Sequence, residues 1–382
     1  MAAQRLTIEG KVRPFAGSIV SLDHFRYREA EEVEARMVVE QPTISLYCLD
    51  HANRRAIFVE TPPAIDLTEA PFYNVVQYDA AEGLIAVSYE TLHQLADEIA
   101  FDPQRIILLY SVGRCGSTLV SHALSQADGV YGMSEPDVFT QLRALRAADG
   151  SNDAEVSDLV HDCVKVMCAP ARSEGATAWA LKLKSLVIGL GDIFYSNFPE
   201  AKVIFLYRNA VGWAKSQARA FGLYEAPFQK ALPRSQQLFA RLNPLVQSYM
   251  ATRTTTISSI ELLSCNWVAV MDGCLELQRQ GVPMFCMRYE DLQVAPQEML
   301  DAMFAFCQLT VHDSSKVDRV LARDSQAGTS ISQASLREAA RELPEHDVAE
   351  LLRLIQQLSP TLSPDTIVPH TFTPMKVDVN GE

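Results

Sequence analysis

The chain has 382 residues, 48% of them hydrophobic and 21% charged, enough for one large domain with an appendage or for two domains. Its 47 acidic residues against 33 basic ones leave a formal net charge of −14. That balance disfavours a general nucleic-acid binder, although local basic groups can still hold a small anion.

The first residues, MAAQRLTIEGKVRP, have no apolar core of the signal-peptide kind, and no run approaches the roughly 18 apolar residues of a spanning helix. A cytoplasmic protein without a membrane span is expected. Eight cysteines are scattered with no CxxC pair, and eight histidines show no HExxH cluster, so reduced, mostly buried thiols are expected and no metal. Residues 1–100 read as a β-rich N-terminal region. ISLYCLD (44–50) and RAIFVET (55–61) flank His51-Ala52-Asn53-Arg54, and FYNVVQY (72–78) and LIAVSY (84–89) flank 79–83. These are two expected hairpins, followed by a short helix over 91–99. No catalytic constellation is visible among them.

Residues 105–124, RIILLYSVGRCGSTLVSHAL, join an apolar run of buried-strand length to a small-residue loop and a helical pattern. This arrangement points backbone N–H groups and a helix N-terminus at a phosphate. Gly113 and Gly116 permit close wrapping, Ser117 and Thr118 add hydroxyls, and Arg114 adds a fixed cation with a planar fork of donors. The nucleotide-hydrolysing P-loop would place Lys after the second Gly, where this chain has Ser117. With its basic residue before that Gly, the loop resembles the phosphosulfate-binding loop of the sulfotransferase family, P-[KR]-[ST]-G-[ST]-T. It departs from that form at Gly113 and Cys115.

From there strands alternate with helices: helices over 137–148 and 153–168, a strand over 177–183, a helix over 187–194, and a strand over 202–207. An irregular stretch at 220–256 precedes a helix over 264–279, a strand over 283–288, and helices over 296–309 and 345–358. The fold class expected is α/β, a three-layer P-loop-type parallel sheet flanked by helices over residues 101–382, preceded by the β-rich region. Phosphate-binding loops would then lie at the carboxyl ends of strands.

The segment AKVIFLYRNAVGWAKS (201–216) ends a buried strand with Arg208 and sets Ser216 two turns into the following helix. An Arg at a strand end can clamp a phosphate in bidentate fashion, with a Ser sharing it. The pattern is similar to the strand-Arg-x7-Ser motif with which sulfotransferases hold the 3′-phosphate of 3′-phosphoadenosine 5′-phosphosulfate (PAPS). A third agreement is Arg288-Tyr289-Glu290-Asp291, which resembles the family's Y-E-D segment and implies Tyr289 as an adenine contact. Together the three motifs span roughly residues 103–330 and leave residues 1–100 unaccounted for.

The resemblance implies PAPS as cofactor, PAP as product and no metal. Arg114 is then the phosphosulfate clamp, and the N–H groups of Cys115, Gly116, Ser117 and Thr118 bind the 5′-phosphate with help from the helix dipole. Lys182 and Lys184 sit two apart in a strand and so share a face. One of them, with Lys182 preferred, would reach the bridging oxygen. The Lys-x-His base of the cytosolic small-molecule enzymes is missing, since Ser185 and Leu186 follow Lys184. Ser134-Glu135-Pro136 instead resembles the Glu of tyrosylprotein and bacterial sulfotransferases, which implies Glu135 as the base. Ser325, in the polar loop 323–332, is a further candidate nucleotide contact.

The function expected is sulfuryl transfer from PAPS to a hydroxyl or amine of a small-molecule acceptor, by in-line displacement with a carboxylate base. The alternatives are a P-loop kinase or other nucleotide phosphotransferase, and a non-catalytic nucleotide-binding module of the same fold. Phe221, Tyr224, Phe228, Leu232 and Phe239 offer apolar surface for a lipid-like, phenolic or polyketide-like acceptor, or ordinary core packing.

Overall fold

Two five-stranded sheets organise the computed structural model, which describes residues 1–15, 17–68, 70–100, 102–169, 175–323 and 342–375. The first is antiparallel and built from β1 (Ala2–Lys11), β2 (Phe25–Glu34), β3 (Ile44–Asp50), β4 (Arg55–Glu60) and β5 (Gly83–Ser88), in the order β2-β1-β5-β4-β3. The second holds β6 (Ile106–Ser111), β7 (Val130–Ser134), β8 (Ala178–Lys182), β9 (Lys202–Tyr207) and β10 (Met284–Arg288), in the order β10-β9-β6-β8-β7. The pairs β9–β10 and β7–β8 run parallel. All six residues of β6 are buried, the pattern of a strand covered on both faces, and helices flank this sheet.

The chain divides into two compact units, residues 1–108 with 129–201 and residues 109–128 with 202–382. In the first, Leu6, Phe25, Tyr47, Ile57, Val59 and Leu84 form a core over the antiparallel sheet. The expected hairpin of β3 and β4 is present, closed through Arg54 in a left-handed conformation (φ 50°). The second expected hairpin is corrected. Residues 72–78 are expected to be a strand, but helix Tyr73–Ala80 covers all of them except Phe72, and its buried positions are Tyr73, Asn74, Gln77 and Tyr78. That spacing is helical, and it overrides the β propensity of Val75 and Val76. The partners of β5 are instead β4 and β1, the latter unanticipated.

In the second unit, the stretch read as irregular contains helices Ala226–Leu242 and Pro244–Ala251. Leu232 belongs to a core cluster with Val246, Tyr249 and Leu354, and Phe228 and Phe239 pack against it, so these side chains serve packing. The long helix Ser259–Arg279 starts with a capping box formed by Ser258 and Glu261. All eight cysteines are free and buried, as their sequence context predicts. Among the described residues no helix is long and apolar enough to cross a membrane.

Candidate functional site

The second unit holds the loop after β6. Gly113 (φ 74°), Arg114 (φ 51°) and Gly116 (φ 86°) all adopt positive φ. Such a conformation is strained for Arg114, as is common where a loop is shaped for a ligand. Gly116 is required on two counts, because a Cβ there would also come within 3.3 Å of Leu292 and 3.4 Å of the Tyr289 ring. It is the N-cap of helix Ser117–Leu124 and brings no capping side chain, so the first-turn N–H groups face the loop without one. Cys115 is buried and donates from Sγ to the Leu206 carbonyl at 3.4 Å. Only its backbone is left for an anion.

Four of the residues singled out in the sequence converge here. Arg114 Nε donates to Ser216 Oγ at 3.4 Å, and Arg208 Nη1 donates to the Arg114 carbonyl at 3.2 Å. The Arg208 guanidinium lies 4.4 Å from the Tyr289 ring centroid. Among the described residues no carboxylate pairs with either arginine, and Arg208 Nε is buried without a hydrogen-bond partner. Burial and the like charge of Arg208 hold the pKa of Arg114 below its ordinary value. Two cations kept together with no counter-charge, one with an orphaned buried donor, suit a multiply charged anion. PAPS fits that donor set.

The supports of this cluster were not read from sequence. Glu290 Oε1 accepts from the Asn209 backbone N–H at 3.2 Å and from the Asn209 side chain, while its Oε2 is ion-paired with Arg288 Nε at 3.2 Å. Asn209 in turn caps helix Ala210–Phe221 by accepting from Gly212 N at 2.7 Å. Trp267 Nε1 donates to the Arg208 carbonyl at 3.2 Å, and Trp213 Nε1 to the Val112 carbonyl at 2.8 Å. The Y-E-D segment thus contributes an anchoring carboxylate beside its Tyr. The only signal for it was the segment itself.

The first unit holds the candidate base. Glu135 follows β7 with φ 63°, and its N–H extends the β7–β8 ladder by donating to the Lys182 carbonyl at 2.7 Å. Its Oε1 accepts from Lys182 Nζ at 2.6 Å, and the Lys182 side chain is only 3% exposed. Lys184, two residues beyond the end of β8, is taken by Asp137 at 2.6 Å. Asp137 is fully buried and its second oxygen accepts from Val20 N at 2.9 Å. The two lysines thus form separate ion pairs, with Lys182 the partner of Glu135 and Lys184 that of Asp137. Burial pushes the Glu135 carboxyl up, but the charges of Lys182 and Lys184 and the Lys182 hydrogen bond outweigh it and hold the carboxyl below its ordinary range. Among the described residues Oε2 of Glu135 has no hydrogen bond, and its side chain is 18% exposed. Ser325 lies outside the described residues.

No protein-family model and no curated protein matches the chain. Among solved structures it is similar to the sulfotransferase STF9 from Mycobacterium avium, at 12% identity over 72% of this chain and 80% of that one, with TM-score 0.43. It is similar to the sulfotransferase domain of the curacin biosynthetic pathway at 16% identity over 68% and 98%, with TM-score 0.38. It is also similar to mouse sulfotransferase SULT7A1 complexed with PAP, at 11% identity over 70% and 88%, with TM-score 0.34. All three are sulfotransferases or sulfotransferase domains.

Proposed function

We propose that the protein is a PAPS-dependent sulfotransferase acting on a hydroxyl or amine of a small-molecule acceptor. The observation that carries this is the contact between Arg114 and Arg208, unpaired by any carboxylate among the described residues and joined by Ser216 and Tyr289. Arg114 and the N–H groups of Cys115, Gly116, Ser117 and Thr118 would hold the 5′ side of the nucleotide. Arg208 and Ser216 would hold the 3′-phosphate, and Tyr289 would lie against adenine. Bound there, PAPS supplies an activated sulfuryl group and leaves as PAP.

Glu135 is the proposed base, with its unoccupied Oε2 taking the proton of the acceptor hydroxyl or amine. Once that carboxyl is neutral, Lys182 loses its counter-charge, and its cation becomes available to negative charge developing at the leaving oxygen. A base of this kind acts ionised. Because its neighbouring lysines hold the carboxyl below its ordinary range, activity should hold through neutral pH and fall only at acid pH, as the carboxylate is protonated. In Lys182→Met the burial contribution is opposed by Lys184 alone. The acid limb of kcat/KM should therefore move to higher pH. An acid limb that stays put in this variant would remove Glu135 as the titrating group.

The direct test is incubation of the protein with sulfur-labelled PAPS and a broad acceptor panel, followed by mass spectrometry of the products. Slow PAPS hydrolysis or acceptor sulfation supports catalysis, and tight PAP binding with neither would favour a binding module. Gly116→Ala should weaken PAP binding by about tenfold, because the substitution adds strain of the order of 1–2 kcal/mol at a positive φ. A calorimetric titration reads this directly.

A further inference from the structure

The helix Val138–Leu145 begins directly after the turn carrying Glu135 and Asp137, in the same unit. It bears two arginine environments of opposite character. Arg146, just past its end, is saturated: Asp153 and Asp192 each give it both carboxylate oxygens at 2.7–2.8 Å, and the Gly189 carbonyl accepts at 2.8 Å. Arg143, in the last turn, is 7% exposed and has neither a hydrogen bond nor an ion pair among the described residues. Its Nε is fully buried without a partner. Asp192, whose charge acts on Arg143, is committed to Arg146.

Burying a guanidinium without an acceptor is among the costliest arrangements a fold can retain. The guanidinium is also fixed in place. It fills the space beside Gly189, where a Cβ would come within 2.4 Å of Nε. One turn earlier on the same helix face, Thr140 is 4% exposed and its Oγ1 is likewise buried and unpartnered. Two orphaned polar groups, three residues apart, thus face one direction on the helix that follows the proposed base. A helix-terminal Arg gains something from the helix dipole, but that contribution is small beside the desolvation of an unpaired cation.

We infer that Arg143, with Thr140, is an oxyanion-binding element of the acceptor site, and that the acceptor carries a carboxylate in addition to the group it presents to Glu135. A carboxylate matches the planar fork of the guanidinium and can accept from the Thr140 hydroxyl as well. The net charge of −14 does not oppose this, since a single anion is governed by the local cation. Thr140 and Arg143 would bind and position the acceptor and would not touch the transferred group. This inference rests on the sulfotransferase proposal for the identity of the acceptor, though not for the anion site itself.

The test uses full-length wild type and Arg143→Met. Thermal denaturation is followed alone and with matched probes: 4-hydroxybenzoate against 4-hydroxybenzamide, 3-hydroxyoctanoate against its amide, and sodium sulfate. Without ligand, Arg143→Met should melt no lower than wild type, because it removes an uncompensated buried charge. At least one carboxylate should raise the melting temperature of wild type more than its amide does, and Arg143→Met should lose that difference. A clear fall in the melting temperature of unliganded Arg143→Met, or failure to fold, assigns Arg143 a structural role and overturns the inference. So does a wild type that no carboxylate stabilises beyond its amide, a comparison that needs no variant. Sulfate as effective as the organic acids would assign the site to a free inorganic anion and would equally overturn it. PAP affinity, measured alongside, separates the two proposals: no PAP binding sinks the sulfotransferase assignment, whereas normal PAP binding with a negative carboxylate comparison sinks only this inference.

Discussion

Glu135→Gln is expected to lower turnover by about 10²–10⁴-fold while leaving PAP affinity within a factor of about two, because the amide keeps the shape of the side chain but cannot take a proton. The geometry of Glu135 suits the proposed role. It sits at positive φ, a conformation that costs a non-glycine residue free energy, and its Oε1 is pinned by Lys182 at 2.6 Å. What remains free is Oε2. The loss should therefore appear in kcat, with KM for the acceptor little changed. The substitution also removes the ion pair with Lys182, leaving a buried ammonium without its counter-charge, so the melting temperature should fall too. A measurement of kcat at saturating PAPS, paired with a PAP titration, separates the two effects. Normal turnover by Glu135→Gln would mean that another group accepts the proton.

Arg114→Met is expected to weaken PAP binding by on the order of 10²-fold or more, as truncating one partner of a buried charge pair costs about 2–5 kcal/mol. Arg208→Met should lose a similar amount. The unliganded protein should tolerate either change, because each relieves the repulsion between two neighbouring guanidinium groups that no carboxylate neutralises among the described residues. Arg114 and Arg208 are linked through backbone and Ser216, so the double variant should lose less than the sum of the singles. Isothermal titration of the three variants gives the cycle. A melting temperature that drops sharply in either single variant, with PAP affinity kept, would make these arginines structural.

The parts of the fold that could be read in advance are those with dense local signal. The apolar runs of β6, β9 and β10 stand out because a strand covered on both faces has no polar alternation to dilute it. The loop from Gly113 to Thr118 was readable because glycine and arginine at fixed offsets carry a specific backbone demand. The strand β2 was missed since FRYREAEEVE is charged along most of its length, as befits the edge of a sheet that must not pair further. Residues 72–78 read as a strand because aromatic and β-branched residues look like one until burial reveals the helical period of Tyr73–Ala80. In the candidate site, Arg114, Arg208, Ser216 and Tyr289 could be named from motif spacing. Their supports could not, for Glu290 and Trp267 act through contacts that no local pattern encodes. The same holds for the division of Lys182 and Lys184 between Glu135 and Asp137, which depends on carboxylates 47 residues away in sequence. An unpartnered Arg143 is invisible in sequence altogether, since lacking a partner is a property of three-dimensional packing.

Arg114 and Arg208 together should hold one adenosine nucleotide phosphorylated at both the 3′ and 5′ positions. Equilibrium titration of wild type and Arg208→Met with PAP and with adenosine 5′-phosphate, each with and without magnesium, tests it most directly. Wild type should bind PAP at least about tenfold tighter than adenosine 5′-phosphate, magnesium should change neither affinity, and Arg208→Met should erase the difference. Equal affinity of wild type for the two nucleotides, or a PAP preference that survives in Arg208→Met, would contradict it.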